Sequence, residues 1–226
     1  MKDSSTEMNF SVCSVYSVVK NGVFVMFVEH FLIPEANETN VYLLACSETR
    51  RAALIDAGAF EHRVVDCARE NSFHVQYILV THDHYDHVGG LASYVQAFPG
   101  CEVIAGGANP GGISARAPAD GGLIRVGNLK GTTLAIPGHT EDSTAWLFEA
   151  GNDSACFGLA PAVVFCGDVL FAGSIGGTFG SAAHEQEIEG IRRKLFTLPD
   201  NTVLYPGHGP ATTVGIEKHH SPFFRL

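Results

Sequence analysis

Apolar residues come in short blocks along this chain, and their spacing changes from one block to the next. Residues 10–19 and 23–31 are β-rich runs separated by Lys20-Asn21-Gly22. Asn-Gly between two such runs predicts a tight hairpin. Val41-Tyr42-Leu43-Leu44 and Ala52-Ala53-Leu54-Ile55 read as a third and a fourth strand, the latter ending at Asp56-Ala57-Gly58. Over residues 60–70 the spacing becomes helical, with Val64, Val65 and Ala68 on one face. Val75-Gln76-Tyr77-Ile78-Leu79-Val80 is a further strand, and Leu91, Tyr94, Val95 and Phe98 mark a second helix, stopped by Pro99-Gly100. A short strand is expected over residues 102–105.

The second half follows a similar plan. Strands are predicted at residues 123–126, 132–136, 144–148 and 162–166. A helix over 185–195 carries Ile188, Ile191 and Leu195 on one face. A last strand at 203–205 precedes a helix over about 212–219. Residues 106–122 are rich in Gly, Ala and Pro without periodicity, and read as a long surface loop, either a lid or an ordinary connection. Strands, helix, strand and helix, given twice, fit an α/β fold of two sheets packed face to face with helices outside, in a single domain over 1–226.

Composition narrows the function classes. The 226 residues are 46% hydrophobic and 17% charged, enough apolar content for a large core. The formal charge is 14 − 24 = −10 with no basic run, which disfavours a nucleic-acid partner. Met1-Lys2-Asp3 leads into polar residues rather than an apolar signal segment, and no apolar run is long enough to span a bilayer, so no membrane partner is expected and the cytoplasm is the default location. The six cysteines contain no C-x-x-C pair and read as reduced, mostly buried thiols.

The chemistry concentrates in Thr81-His82-Asp83-His84-Tyr85-Asp86-His87-Val88-Gly89-Gly90, directly after an apolar strand. Imidazole and carboxylate are donors that first-row divalent metals prefer. Alternation points His82 and His84 one way, and Asp86-His87 turns toward a second position. Asp83 and Tyr85 point elsewhere and rank as supporting residues. Three later stretches share one format, an apolar strand ending in a Gly-flanked His or Asp: Ile136-Pro137-Gly138-His139, Phe165-Cys166-Gly167-Asp168 and Tyr205-Pro206-Gly207-His208. The seven donors divide as His82, His84 and His139 on one ion and Asp86, His87 and His208 on the other. Asp168 bridges, with the ions roughly 3.5–4 Å apart. His30, His62, His74, His184, His219 and His220 lack this context.

The run His82-x-His84-x-Asp86-His87, followed by His139, Asp168 and His208 in that order, resembles the metallo-β-lactamase fold superfamily over residues 41–224. The resemblance implies an αββα four-layer sandwich of two mixed sheets with the metal site along one edge, and a supporting role for Asp56. Gly167-Asp168-Val169-Leu170-Phe171 is similar to the thioesterase branch. Gly207-His208-Gly209-Pro210, Gly215-x-Glu217-Lys218 and Ser221-Pro222-Phe223 resemble short bacterial glyoxalase II-like hydroxyacylglutathione hydrolases. One departure falls at Gly177, where the resemblance implies Lys or Arg contacting glutathione. Lys218, Arg192 or Arg193 are the candidates to supply that charge, against a plainer reading as a solvated helix face.

The expected activity is therefore binuclear metal-dependent hydrolysis of a thioester or related small acyl ester. Two divalent ions, zinc first and iron or manganese next, would bring a water near neutral pKa, oriented by Asp86 and Asp168. The alternative is a persulfide dioxygenase, whose branch uses one iron on the equivalents of His82, His139 and Asp168. β-Lactamase and lactonase activities rank behind it, and the complete ligand set speaks against a non-catalytic binding domain.

Overall fold

The computed structural model describes residues 16–20, 23–149 and 162–224. The first sheet runs in chain order, with strands β1 (Tyr16–Lys20), β2 (Val23–Ile33), β3 (Thr39–Cys46) and β4 (Arg51–Ile55). After helix α1 (His62–Glu70) comes β5 (His74–Leu79). Helices α2 (Tyr85–Val88) and α3 (Leu91–Ala97) then lead to the edge strand β6 (Glu102–Ile104). The second sheet begins with β7 (Leu123–Val126), β8 (Leu129–Ala135), β9 (Thr144–Glu149) and β10 (Ala162–Gly167). It is completed after the small hairpin β11 (Leu170–Phe171) and β12 (Ser174–Ile175) and helix α4 (Ser181–Lys194) by β13 (Val203–Pro206) and β14 (Thr212–Thr213). Its order is β14-β13-β10-β9-β8-β7, and α5 (Val214–His220) ends the described fold.

The strands read as near-continuous apolar runs because both faces of each sheet are covered. In β3, Tyr42, Leu44 and Cys46 face the layer between the sheets, where they meet Trp146, Phe148 and Phe165. The alternate residues Val41, Leu43 and Ala45 face Val64 and Ala68 of α1 and Leu91 and Tyr94 of α3. β10 alternates likewise: Val163 and Phe165 point to the shared core, Val164 and Cys166 to Ile191 of α4 and Val214 of α5. The order of layers is helix, sheet, sheet, helix, as expected from the sequence.

Several boundaries differ from the sequence reading. The turn Asn21-Gly22 and residues 10–15 lie outside the described residues, but β1 pairs antiparallel with β2 up to Lys20↔Val23. Helix α4 starts four residues before the predicted 185, because its first turn is Ser181-Ala182-Ala183-His184 and offers no apolar period to read. The predicted last helix loses Thr212 and Thr213 to β14, where these β-branched residues pair with Leu204 and Val203, and the Thr213 hydroxyl then caps α5 by accepting from Ile216 N. The β11–β12 hairpin was not anticipated, since two-residue strands carry no period. The loop over 106–122 is stitched down: Arg116 N donates to Val103 O, Ala115 N to Ala108 O, and Gly111 N to the Asp83 carboxylate at 2.7 Å. Cys46, Cys67, Cys101 and Cys166 form no disulfide among the described residues, while Cys13 and Cys156 lie outside them.

Candidate metal centre

Five strands deliver side chains to one edge of the sandwich. β4 and β5 run parallel, as do β10 and β13, and β8 reaches the same direction through two antiparallel steps across β9. Asp56 follows β4, the 82–87 cluster follows β5, and His139, Asp168 and His208 follow β8, β10 and β13. Five of the seven predicted donors thus come from C-terminal strand ends or the turns after them, and Asp86 and His87 from the short helix α2 that follows β5. Backbone bonds across the two sheets lock the edge: Thr144 N donates to Thr81 O at 2.8 Å and Asn40 N to Gly207 O at 2.7 Å.

The donors form three overlapping sets whose ligand atoms lie within 4.8 Å of one another: His82, His84 and His139; His82, His87 and Asp168; Asp86, His87 and His208. His84 Nδ1 stands 2.9 Å from His82 Nε2 and 3.0 Å from His139 Nε2. These spacings are near the edge of a tetrahedron built on metal–nitrogen bonds of 2.0–2.1 Å, about 3.3 Å. Asp168 lies between the sets, with Oδ1 3.3 Å from His87 Nε2 and Oδ2 3.7 Å from His139 Nε2 and 3.6 Å from His208 Nε2. His208 Nε2 is also 3.4 Å from Asp86 Oδ2.

A second layer fixes three of the five rings. His87 Nδ1 bonds Asp56 Oδ2 at 2.8 Å, and Asp56 itself accepts from Thr81 N and Thr81 Oγ1, both at 2.8 Å. His139 Nδ1 bonds Gly177 O at 2.8 Å, and His82 Nδ1 lies 3.1 Å from Thr81 Oγ1. In each ring the remaining Nε2 is left for the centre. Asp56 adopts φ +60°, a left-handed conformation that aims its carboxylate inward.

The electrostatics match a cation site. Burial pushes His82 down to about 2, and the neighbouring His87 acts in the same direction. Burial likewise lowers His139. Both therefore present neutral imidazoles. Burial would lower His87 as well, but Asp56 and Asp168 overcome it and hold this ring up to about 10. Burial would raise Asp168, but the charged His87 ring 3.3 Å away holds it down to about 2. His87 Nε2 and Asp168 Oδ1 are buried and have no hydrogen-bond partner, although they face the middle of the cluster. Orphaned polar atoms at the centre of a donor set are what a coordinated ion satisfies, so these residues fit divalent metal.

The structure brings together every donor the sequence singled out, and Asp56 sits behind His87 as the resemblance implied. Asp83 and Tyr85 are exposed and point away, also as expected. The basic residues proposed to replace the charge missing at Gly177 are engaged elsewhere: Lys218 with Asp200, Arg193 with Glu189, and Arg192 over the Phe224 ring. Sequence reasoning missed Thr81, Asn37 (whose Nδ2 donates to Asp86 Oδ2 at 3.2 Å) and Asn40, whose Nδ2 holds the His208 turn through Pro206 O and Gly209 O. Thr81 lay inside the motif. The two asparagines carried no signal beyond proximity to β3.

The model of the metallo-beta-lactamase superfamily matches residues 35–208. A probable hydroxyacylglutathione hydrolase of Schizosaccharomyces pombe is 34% identical over 171 residues, covering 74% of this chain and 62% of the relative, so the chain spans less than two thirds of that protein's length. Hydroxyacylglutathione hydrolase GloC of Haemophilus influenzae is 28% identical over 202 residues, 80% of this chain and 90% of the relative. Among solved structures, ETHE1 from Myxococcus xanthus superposes with a TM-score of 0.70 at 29% identity, over 86% of this chain and 83% of its own. Donor set, layer order and family match agree: the chain belongs to the metallo-beta-lactamase superfamily.

Proposed function

We propose that this protein is a metal-dependent hydrolase of a thioester or related acyl ester. His82, His84 and His139 would hold one divalent cation, Asp86, His87 and His208 would hold a second, and Asp168, set between the two groups, would serve both. The observation that carries this reading is the position of Asp168, with one oxygen 3.3 Å from His87 and the other within 3.7 Å of both His139 and His208. The names of the relatives support hydrolysis as the reaction.

Divalent cations held there would supply Lewis acidity and a hydroxide at neutral pH. The chain's own residues do the rest. Asp86 and Asp168 orient the attacking water by accepting its hydrogen bonds. Asp56 and the Gly177 carbonyl keep His87 and His139 in the tautomers that present Nε2. The carbonyl carbon gains a C–O bond and loses its C–S bond, so thioester and water give carboxylate, thiol and a proton. A thiol is acidic enough to leave as thiolate, which removes the need for a dedicated general acid.

The test is thiol release from thioesters by protein loaded in turn with zinc, iron and manganese, with metal content measured alongside. Turnover that chelation abolishes and metal restores is the expected result. A single iron per chain, with oxygen uptake on glutathione persulfide and no thioester turnover, would establish the dioxygenase instead.

A further inference from the structure

A cavity of roughly 670 Å³ opens beside His139, between the turn after β8 and the first turns of α4. Pro137, Thr140 and Glu141 form one wall, Phe179, Ala182 and Gln186 the other. The cavity is larger than a short acyl group needs and fits the carrier half of a thioester. We infer that it receives the thiol portion of the substrate and selects an uncharged, amide-bearing thiol over glutathione. This rests on the thioester-hydrolase reading and names the substrate class for it.

Charge is the first ground. Glu141 is the one lining residue that carries a formal charge at neutral pH among the described residues, and its charge is negative. The cations of α4 sit at its far end: Lys194 binds Asp120 at 2.6 Å and the Ala135 carbonyl at 2.6 Å, eight residues or roughly 12 Å along the axis from Gln186. Glutathione brings two carboxylates against one ammonium. A glutathione thioester would meet Glu141 at close range, and at long range a molecule whose formal charge of −10 stays negative (−10 + 4 = −6) with two divalent cations bound.

Complementarity is the second. Phe179 is 96% exposed at the cavity wall, an uncovered ring that an aliphatic chain would cover. Gln186 offers a carboxamide donor and acceptor, which suit an amide of the ligand. The Thr140 hydroxyl is already committed to Asp142 at 2.7 Å, so the polar wall is set by Gln186 and Glu141. The opening turn of α4 lacks a side-chain cap at Gly180 and adds N–H donors, but its partial charge is at most about half a unit against the full charge of Glu141.

The experiment compares S-lactoyl-N-acetylcysteamine with S-lactoylglutathione on metal-loaded protein. It is paired with binding of the inert thioethers S-methyl-N-acetylcysteamine and S-methylglutathione to chelator-treated protein by saturation-transfer NMR. The expected kcat/KM ratio favours the neutral thioester by roughly tenfold at low ionic strength and narrows with added salt. Glu141→Lys moves the ratio toward glutathione several-fold, and Phe179→Ala raises KM for the neutral substrate. A ratio at or below unity, or one indifferent to Glu141→Lys, overturns the inference. If metal-loaded protein hydrolyses neither thioester, the hydrolase reading fails. The thioether pair then decides the pocket: tighter neutral binding supports the preference and equal or tighter glutathione binding refutes it.

Discussion

At Gly207 a side chain has no room: an added Cβ would stand 2.2 Å from Asp168 Oδ1 and 2.5 Å from His87 Cε1. Gly207→Ala should therefore displace two donors, and we expect the metal content of the folded variant, checked by circular dichroism and elemental analysis, to fall by half or more. A variant with full occupancy would show that the turn tolerates crowding. Glu187 presents the opposite case. It is fully buried under the His139 turn, where a Cβ on Gly138 would fall 2.3 Å from its own Cβ, and neither carboxylate oxygen has a partner. Burial, with the charge of Asp168, pushes it up to about 8. An acid whose folded value is raised stabilises fully below its unfolded value near 4.5 and loses that contribution as pH rises through 8. Metal-free wild type should thus lose stability between pH 5.5 and 8.5, and Glu187→Gln should flatten that slope in denaturant titrations. Equal slopes would place the titration elsewhere. The seven donors were legible because His82, His84, Asp86 and His87 crowd into six residues after an apolar strand, while His139, Asp168 and His208 each end a strand beside a glycine. Glu187 was not: at i−4 it shares the face of Ile191, but nothing in the sequence shows the His139 turn that buries its carboxylate.

At the scale of elements, the strand ends are only as rigid as the ties between sheets. Asn40 at the start of β3 donates through Nδ2 to Pro206 O at 3.0 Å and Gly209 O at 2.8 Å, and Tyr42 Oη donates to Pro206 O at 2.8 Å. Asn40→Ala leaves the Gly209 carbonyl to find a new donor and Pro206 O with Tyr42 Oη alone, costing about 1–3 kcal/mol where they are buried. The His208 set should lose metal affinity more than the His82–His84–His139 set, measured by competition with a chromophoric chelator. Equal losses at both sets would contradict a local clamp. Strands covered on both faces, such as β3 and β10, were readable as unbroken apolar runs. The hairpin β11–β12 and the start of α4 were not, because two-residue strands and an Ala-Ala turn carry no period. The pairing of Asn40 with the His208 turn spans more than 160 residues and belongs to tertiary structure alone.

Across the whole molecule, two sheets each bring part of a donor set to a common edge, so metal binding and folding are coupled. Each cation present at a hundredfold excess over its Kd adds about 2.7 kcal/mol, which in a domain of this size raises Tm by roughly 5–10 °C. Chelation should reverse the shift, and a Tm unmoved by metal would deny the coupling. His87 is held protonated between Asp56 and Asp168 in the metal-free protein, so loading at pH 7.5 should release about one proton per chain, read by calorimetry in buffers of different ionisation enthalpy. The most direct test of the central claim is the metal stoichiometry of the protein alongside its thioester turnover, in wild type and Asp168→Asn. Two ions per chain with chelator-sensitive turnover, both reduced together when Asp168 loses its charge, is the predicted result. One ion per chain at full thioester activity, indifferent to Asp168→Asn, would contradict it.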